Sequence, residues 1–254
     1  MPQITIQPLN VLAEANWDFN RGAPSWSHHR YTVSSTFDPF PAYPHDLDAI
    51  AAAVDVVVGV CPPSWEIGMI AADREPAGRT NGFANVHDSG HYEGDGPLQS
   101  WVKDPPLGVI MLCGKRIPPH PAMTRYLVAH EYGHHIEWML NYAARTRYLH
   151  DLDTIEDYMR RRGLPEDTNV HGTGGRWHTA ATEIFACDFR IMACGVETEF
   201  WPHPGVPRPE SVPGLGGWWR EALARITASQ AATGQCARDA QPDPVLLPNQ
   251  QPAA

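Results

Sequence analysis

Residues 130–134 read His-Glu-Tyr-Gly-His, a spacing that suits a metal-binding helix. Residues four apart on a helix lie on the same face, so the imidazoles of His130 and His134 can reach one metal ion. Glu131 lies beside them, placed to take a proton from a water molecule that the metal activates. His135 points about 100° away from its neighbour on a helix, so it is interpreted as a structural or supporting histidine. The pattern predicts a catalytic metal site, with zinc as the ion.

A catalytic zinc ion normally has three protein ligands and one open position, so a third ligand is needed. The spacing that would supply a third histidine from the same helix places Leu140 at that position, which excludes it. The next candidate is Glu183, on a second helix predicted from about 179 to 194. Asp188 points about 140° away from Glu183 on a helix, so only one of the two can face the ion. The alternatives to Glu183 are His150, His171, His178 and Asp188.

The two segments together resemble the gluzincin arrangement of zinc metallopeptidases. The motif at 130–134 is followed downstream by Glu183-x-x-Ala-x-x-Phe, which is similar to the ImmA/IrrE-like metallopeptidases and the anthrax lethal factor-type catalytic domain. The resemblance covers residues 121–195. It implies that the two histidines and Glu183 bind Zn²⁺, and that Glu131 is the general base of peptide-bond hydrolysis.

A peptidase of this type also needs a donor for the oxyanion that develops on the scissile carbonyl. His178, directly before the second predicted helix, is the candidate, with Tyr148 and His171 as alternatives. Lethal factor-type enzymes have a tyrosine shortly before the glutamate, where this chain has Arg176, Trp177 and His178. The chain departs from the resemblance here, and a loop histidine without a catalytic role is an equal alternative for His178.

The pattern of apolar residues predicts an α+β, zincin-like fold, with a small mixed sheet before the active-site helix and a second metal-ligand helix downstream. Strands are predicted at 2–12, 65–72, 82–86 and 107–113. The last of these is apolar enough to be central, and 82–86 is the predicted edge strand. Other helices are predicted at 46–58, 153–163 and 215–233, and the active-site helix at 121 to about 149.

Small and polar residues mark the expected helix ends. Asp46 suits an N-cap, and Asp153-x-x-Glu156 resembles a capping box. Gly163 and Gly195 suit the C-terminal ends of their helices.

Two small residues predict a close approach of the two ligand-bearing helices. Gly133 costs about 1 kcal/mol relative to alanine inside a helix, which is easier to explain if a neighbouring element needs the space. Ala186 lies on the face of the second helix that carries Glu183, and its size permits that approach.

The composition predicts one catalytic domain at 1–239, sheet-rich over 1–115 and helical over 116–239, with a disordered tail at 240–254. The net charge of −10 gives no electrostatic footprint for nucleic acid or anionic membranes. We see no signal peptide and no apolar run of membrane-spanning length. The five cysteines include no Cys-x-x-Cys pair, which favours a reduced, cytoplasmic setting, although export by another route or association with a phage particle stays open.

Residues 86–98 are polar and glycine-rich, and are predicted to form a solvated loop near the substrate cleft. The alternative is a second metal site, such as one for calcium, within 87–95. His87, Asp88, His91 and Asp95 would be its ligands.

The leading hypothesis is a zinc endopeptidase that acts on a peptide or protein substrate. One alternative is a non-catalytic zincin-fold binding module or phage-associated structural module, although a structural site has no need of Glu131 as a base. Another is hydrolysis of a non-peptide amide, as in peptide deformylases, which take an upstream cysteine as ligand. Cys61 and Cys113 lack the flanking residues of that family.

Overall fold

The structure, a computed structural model, describes residues 3–10, 25–28, 31–34, 37–76, 81–87, 90–93, 100–103, 106–144, 152–171, 176–197 and 201–239. These ranges contain ten strands: β1 (Ile4–Leu9), β2 (Ser25–His28), β3 (Tyr31–Ser34), β4 (Phe37–Pro41), β5 (Glu66–Ala72), β6 (Arg74–Pro76), β7 (Gly82–His87), β8 (Gly90–Glu93), β9 (Ser100–Lys103) and β10 (Leu107–Leu112). They also contain five α-helices: α1 (Leu47–Val60), α2 (Pro121–Ala143), α3 (Asp153–Arg162), α4 (Ala181–Met192) and α5 (Leu215–Asp239). The predicted α+β class is confirmed.

A four-stranded mixed sheet has the order β1-β5-β10-β7. β1 and β10 run parallel to β5, whereas β7 runs antiparallel to β10, with Ala84 opposite Ile110. The predictions that the 107–113 strand is central and that the 82–86 strand lies at an edge are confirmed within this sheet.

Both faces of β10 are buried, because its side chains alternate between two apolar clusters. Ile110 and Leu112 belong to the main core, which also contains buried residues from all five described helices. Val109 and Met111 belong to a smaller cluster on the opposite face of the sheet. The sheet therefore supports α2 from one side.

The prediction that 86–98 forms a loop is wrong for part of that range, because β7 ends within it and β8 lies within it. β7 extends to His87, and β8 pairs with β9 in an antiparallel ribbon, with Gly90 opposite Lys103. Tyrosine in β8 and tryptophan and valine in β9 favour strand formation, which the nearby glycines concealed. Residues 88–89 and 94–99 lie outside the described residues, and with them part of the predicted second metal site.

The helix ends confirm most of the predicted caps. Asp46 accepts a hydrogen bond from the Asp48 amide at 2.8 Å and caps α1. Gly163 and Gly195 have φ values of 72° and 61°, in the left-handed region that favours glycine after a helix. The helix α2 ends at Ala143, earlier than the predicted end near residue 149, and residues 145–150 lie outside the described residues.

The predicted capping box at the start of α3 is wrong. Leu152 is the N-cap and makes no side-chain capping bond, so Asp153 is already the first helical residue. Asp153 and Glu156 therefore lie in the first turn of α3, where their negative charges stabilise the positive end of the helix dipole.

Within the described residues, no helix has both the length and the apolar character needed to cross a membrane. The predicted disordered tail at 240–254 lies outside those residues.

Candidate metal centre

Gly133 lies at a close contact between α2 and α4. A Cβ added to Gly133 would lie 2.7 Å from the Cα of Ala186 and 3.1 Å from its Cβ. Real side chains do not approach this closely, so only glycine permits the contact. The predicted close approach of the two helices is confirmed, and it brings side chains from both helices to a common point near this contact.

Three side chains meet there, namely His130 and His134 from α2 and Glu183 from α4. The Nε2 atom of His130 lies 3.1 Å from Oε2 of Glu183, and Nε2 of His134 lies 3.7 Å from Oε1. One ligand atom of each residue lies within 4.8 Å of the other two. Ligands about 2.0–2.1 Å from a tetrahedral ion are about 3.3–3.4 Å apart, so this group can hold a metal ion.

The protonation of two members suits a cation. Burial lowers the pKa of His134 to about 4, so that imidazole is neutral and offers a lone pair. Burial alone would raise the pKa of Glu183, but a hydrogen bond from His130 and the nearby histidine charges lower it to about 2. Glu183 is therefore a carboxylate.

His130 differs in protonation from His134, because both ring nitrogens of His130 have polar partners. Burial favours the neutral ring, but Cys187, Glu183 and Glu131 together raise the pKa of His130 well above its ordinary value. A ring held between acidic groups in this way readily exchanges the proton on Nε2 for a metal cation.

Glu131 lies beside the triad formed by His130, His134 and Glu183, and against the start of the edge strand β7. A Cβ added to Gly82, the first residue of β7, would lie 2.9 Å from Oε1 of Glu131. Burial raises the pKa of the Glu131 carboxyl to about 8, with further contributions from Glu183 and Cys187 that His130 opposes. A bound cation would lower that pKa, because an opposite charge favours the ionised form.

His135 is a structural histidine, which was one of the two roles predicted for it. It is fully buried, and its Nε2 donates a hydrogen bond to the Val109 carbonyl at 3.3 Å. Burial lowers the pKa of His135 to about 3, so the ring is neutral. Its ring fills the space above Gly108, where an added Cβ would lie 2.6 Å from Cε1 of His135. This contact fixes α2 on the central strand.

His178, the predicted oxyanion donor, lies in a 3₁₀ segment (Trp177–Thr179) directly before α4. The side chain is exposed, and its Nδ1 donates to the Pro202 carbonyl at 2.9 Å. The structure places His178 outside the group of three ligands, and its catalytic role stays a prediction.

His203 is a buried histidine that the sequence did not single out. Its Nδ1 donates to the His178 carbonyl at 2.8 Å, which holds it in the interior. It lies close enough to Glu183 and Cys187 to lower the pKa of both groups. Its proline-rich surroundings gave no signal, because the contact depends on how the chain after α4 folds back.

Cys187 is buried in α4 and makes a polar contact with one of the two histidines. Its Sγ lies 3.3 Å from Nδ1 of His130. Burial raises the pKa of the Cys187 thiol, but the neighbouring His130 and His203 lower it, for a net value of about 5. Its position four residues after Glu183, hence on the same face of the helix, is the signal that could have identified it.

The alternative third ligands are occupied elsewhere or lie outside the described residues. Asp188 is fully buried, 2.7 Å from Nε of Arg162, and accepts a hydrogen bond from the Tyr158 hydroxyl at 2.7 Å. It faces away from the triad, as its helical spacing from Glu183 predicted. His171 is exposed, and residues 145–150, with the alternatives there, are outside the described residues.

Comparisons with family models, with curated proteins and with solved structures found no match for this chain. Within the described residues, the arrangement consists of three side chains that can together hold a metal ion, with the buried Glu131 carboxyl beside them. Such an arrangement can bind a cation and move a proton next to it.

Proposed function

We propose that this protein is a zinc-dependent metallopeptidase of gluzincin type. One observation carries the proposal: His130, His134 and Glu183 converge on one point, and Glu131 lies next to it without being one of the three. Structural zinc sites use four protein ligands, whereas catalytic sites use three and keep one position open. The triad supplies three protein ligands, as in a catalytic zinc site.

The donor set supports zinc as the metal. Two imidazole nitrogens and one carboxylate are found in catalytic zinc sites, and the same donors also hold iron in oxygenases. Glu131 favours the hydrolytic alternative, because hydrolysis needs a base beside the metal. The proposed mechanism therefore assigns different tasks to the two carboxylates.

Zinc, when bound, would polarise the scissile carbonyl and lower the pKa of a water molecule. Glu131 would take a proton from that water and deliver it to the leaving amine nitrogen. Its buried carboxyl suits this exchange, because both of its protonation states are accessible near neutral pH. His178 is the proposed oxyanion donor, and Nε2 is the ring nitrogen proposed for this role because Nδ1 donates to the Pro202 carbonyl.

The edge strand β7 supports a peptide as the substrate. Gly82 lies against Glu131, so the strand begins at the proposed catalytic base. An extended peptide that pairs with a sheet edge uses backbone hydrogen bonds, which do not depend on its sequence. A substrate bound along β7 would therefore pass the triad.

The test uses Glu131→Gln, which keeps the size of the side chain and removes the base. Zinc-loaded wild-type protein and the variant are incubated with a mixed peptide library, and the cleaved bonds are identified by mass spectrometry. We expect wild-type cleavage, with a loss of at least about 100-fold in the variant at unchanged zinc content. Glu156→Gln in α3, away from the triad, is the matched control and keeps full activity.

Two results contradict the proposal. One is equal cleavage by wild type and Glu131→Gln. The other is a wild-type protein that binds zinc and cleaves no peptide in the library, which would favour the non-catalytic module.

A further inference from the structure

We propose that Cys187 is a positioning residue that holds His130 in the orientation required for metal binding. The inference rests on the proposed metal site, and concerns how the protein orients one of its ligands. It assigns to a cysteine thiol the task of accepting a hydrogen bond from the ring nitrogen that faces away from the metal.

The two nitrogens of His130 have partners on opposite sides of the ring. Nε2 lies 3.1 Å from Oε2 of Glu183, and Nδ1 lies 3.3 Å from Sγ of Cys187. A neutral imidazole that gives its Nε2 lone pair to a metal carries its proton on Nδ1. That proton needs an acceptor, and Cys187 is the group placed to accept it.

One helix supplies both partners of the ring. Glu183 and Cys187 are four residues apart in α4, so they lie on the same face one turn apart. Any movement of α4 along its axis therefore shifts the metal-facing and the rear partners of His130 together. The contact between Gly133 and Ala186 fixes that position.

Aromatic packing keeps the ring in this plane. Tyr126, one turn before His130 in α2, stacks on it with an interplanar angle of 3° and a centroid separation of 6.1 Å. The guanidinium of Arg190, which is on α4, lies 4.2 Å from the centre of the Tyr126 ring. Stacking holds the plane of the His130 ring, and the contacts of Nδ1 with Cys187 and of Nε2 with Glu183 determine which way its two nitrogens face.

The position of Cys187 separates this role from that of a ligand. Its sulfur contacts the nitrogen that points away from Glu183, and Cys187 is not a member of the group of three ligand residues. Groups that orient a metal-bound histidine in this way typically affect metal affinity by about 10- to 100-fold.

The test measures zinc affinity by competition with a chromophoric chelator. Cys187→Val removes the acceptor and leaves an apolar side chain, and we expect its zinc affinity to fall by about 10- to 100-fold. Cys187→Asp restores an acceptor and should recover most of the loss, which lost packing alone would not allow. Cys194→Val, a thiol substitution just beyond the end of the same helix, is the control and keeps wild-type affinity.

Thermal unfolding of each variant shows whether the fold is kept, and Cys187→Ala, which also lacks the acceptor, is measured in the same way if the valine variant does not fold. Wild-type zinc affinity in a folded variant that lacks the acceptor overturns the proposal, as does an aspartate variant no better than valine. If the wild-type protein binds zinc and cleaves no peptide, the proposed function is contradicted and the role of Cys187 is not. If the wild-type protein binds no zinc, both the proposed function and the role of Cys187 are contradicted.

Discussion

Gly133→Ala places a methyl group in the contact between α2 and α4. Its Cβ would lie 2.7 Å from the Cα of Ala186 and 3.0 Å from the carbonyl oxygen of the same residue. Both are backbone atoms, so no side-chain rotation relieves the overlap. Carbon atoms pack at about 3.5–4.0 Å, so the helices must separate locally by about 0.8 Å or more.

Two opposing effects determine how much Gly133→Ala changes the free energy of unfolding. Alanine gains about 1 kcal/mol over glycine as a helix former, while overpacking typically costs about 1–3 kcal/mol. The clash with backbone puts the cost at the upper end, so we expect a net loss of about 2 kcal/mol in the free energy of unfolding. The separation also exceeds the tolerance of about 0.5 Å for a functional site, so zinc affinity should fall at least about tenfold.

The assay combines urea unfolding of the metal-free protein with zinc titration. Gly59→Ala is the matched control, because no atom lies within 4 Å of a Cβ added at Gly59 in α1. The control should gain up to about 1 kcal/mol and keep its zinc affinity. Adding Ala186→Gly to Gly133→Ala removes one Cβ and leaves the backbone clash, so it should not restore affinity. A Gly133→Ala protein as stable as the Gly59→Ala protein, with wild-type zinc affinity, would refute the reasoning.

Three further predictions concern the base, the acid stability and a buried ion pair. Gly82→Ala moves the Glu131 carboxylate, which lies 2.9 Å from the added Cβ, so kcat should fall at least about tenfold at unchanged zinc content. Burial lowers the pKa of His45 to about 4, so the unfolded state binds more protons between pH 6.5 and 4. Stability should therefore fall as the pH falls through that window, by up to about 3 kcal/mol in urea unfolding. Asp188→Ala leaves the Arg162 guanidinium buried without its 2.7 Å partner, and unfolding in urea should show a loss of about 3–5 kcal/mol.

Each of these three predictions has an outcome that would contradict it. The Gly82→Ala prediction is refuted if kcat is unchanged in a peptide assay. His45→Asn should lose less stability than wild type between pH 7 and 4.5, and an equal loss would exclude His45 as the cause. Glu210→Ala removes the partner of Arg208 in an exposed pair and should change stability by less than about 0.5 kcal/mol. An equally small effect of Asp188→Ala would show that the buried pair is dispensable.

Local spacing was sufficient to predict part of the candidate metal centre. His130 and His134 are four residues apart on a helix, so their common face follows from helix geometry alone. Gly133 and Ala186 predicted the close approach because small residues in two helices leave room for it. Glu183 joined the histidines as expected, although its identity depended on pairing two separate helices.

Contacts between segments that are distant in the chain could not be predicted from the sequence. Cys187 lies 57 residues from His130, and its polar contact depends on the orientation of α4 relative to α2. His203 reaches the interior because the chain after α4 folds back, which no local pattern encodes. The start of α3 was misplaced because an aspartate favours both the N-cap and the first helical turn.

X-ray absorption at the zinc edge of the zinc-loaded protein tests the central claim most directly. The account predicts a four-coordinate ion with nitrogen and oxygen neighbours at about 2.0–2.1 Å, two of them imidazoles, and no sulfur. Glu183→Ala should remove one of these neighbours or abolish binding. A sulfur neighbour at about 2.3 Å would make a cysteine a ligand, and a third imidazole in place of the carboxylate would remove Glu183 from the site; either result would contradict the account.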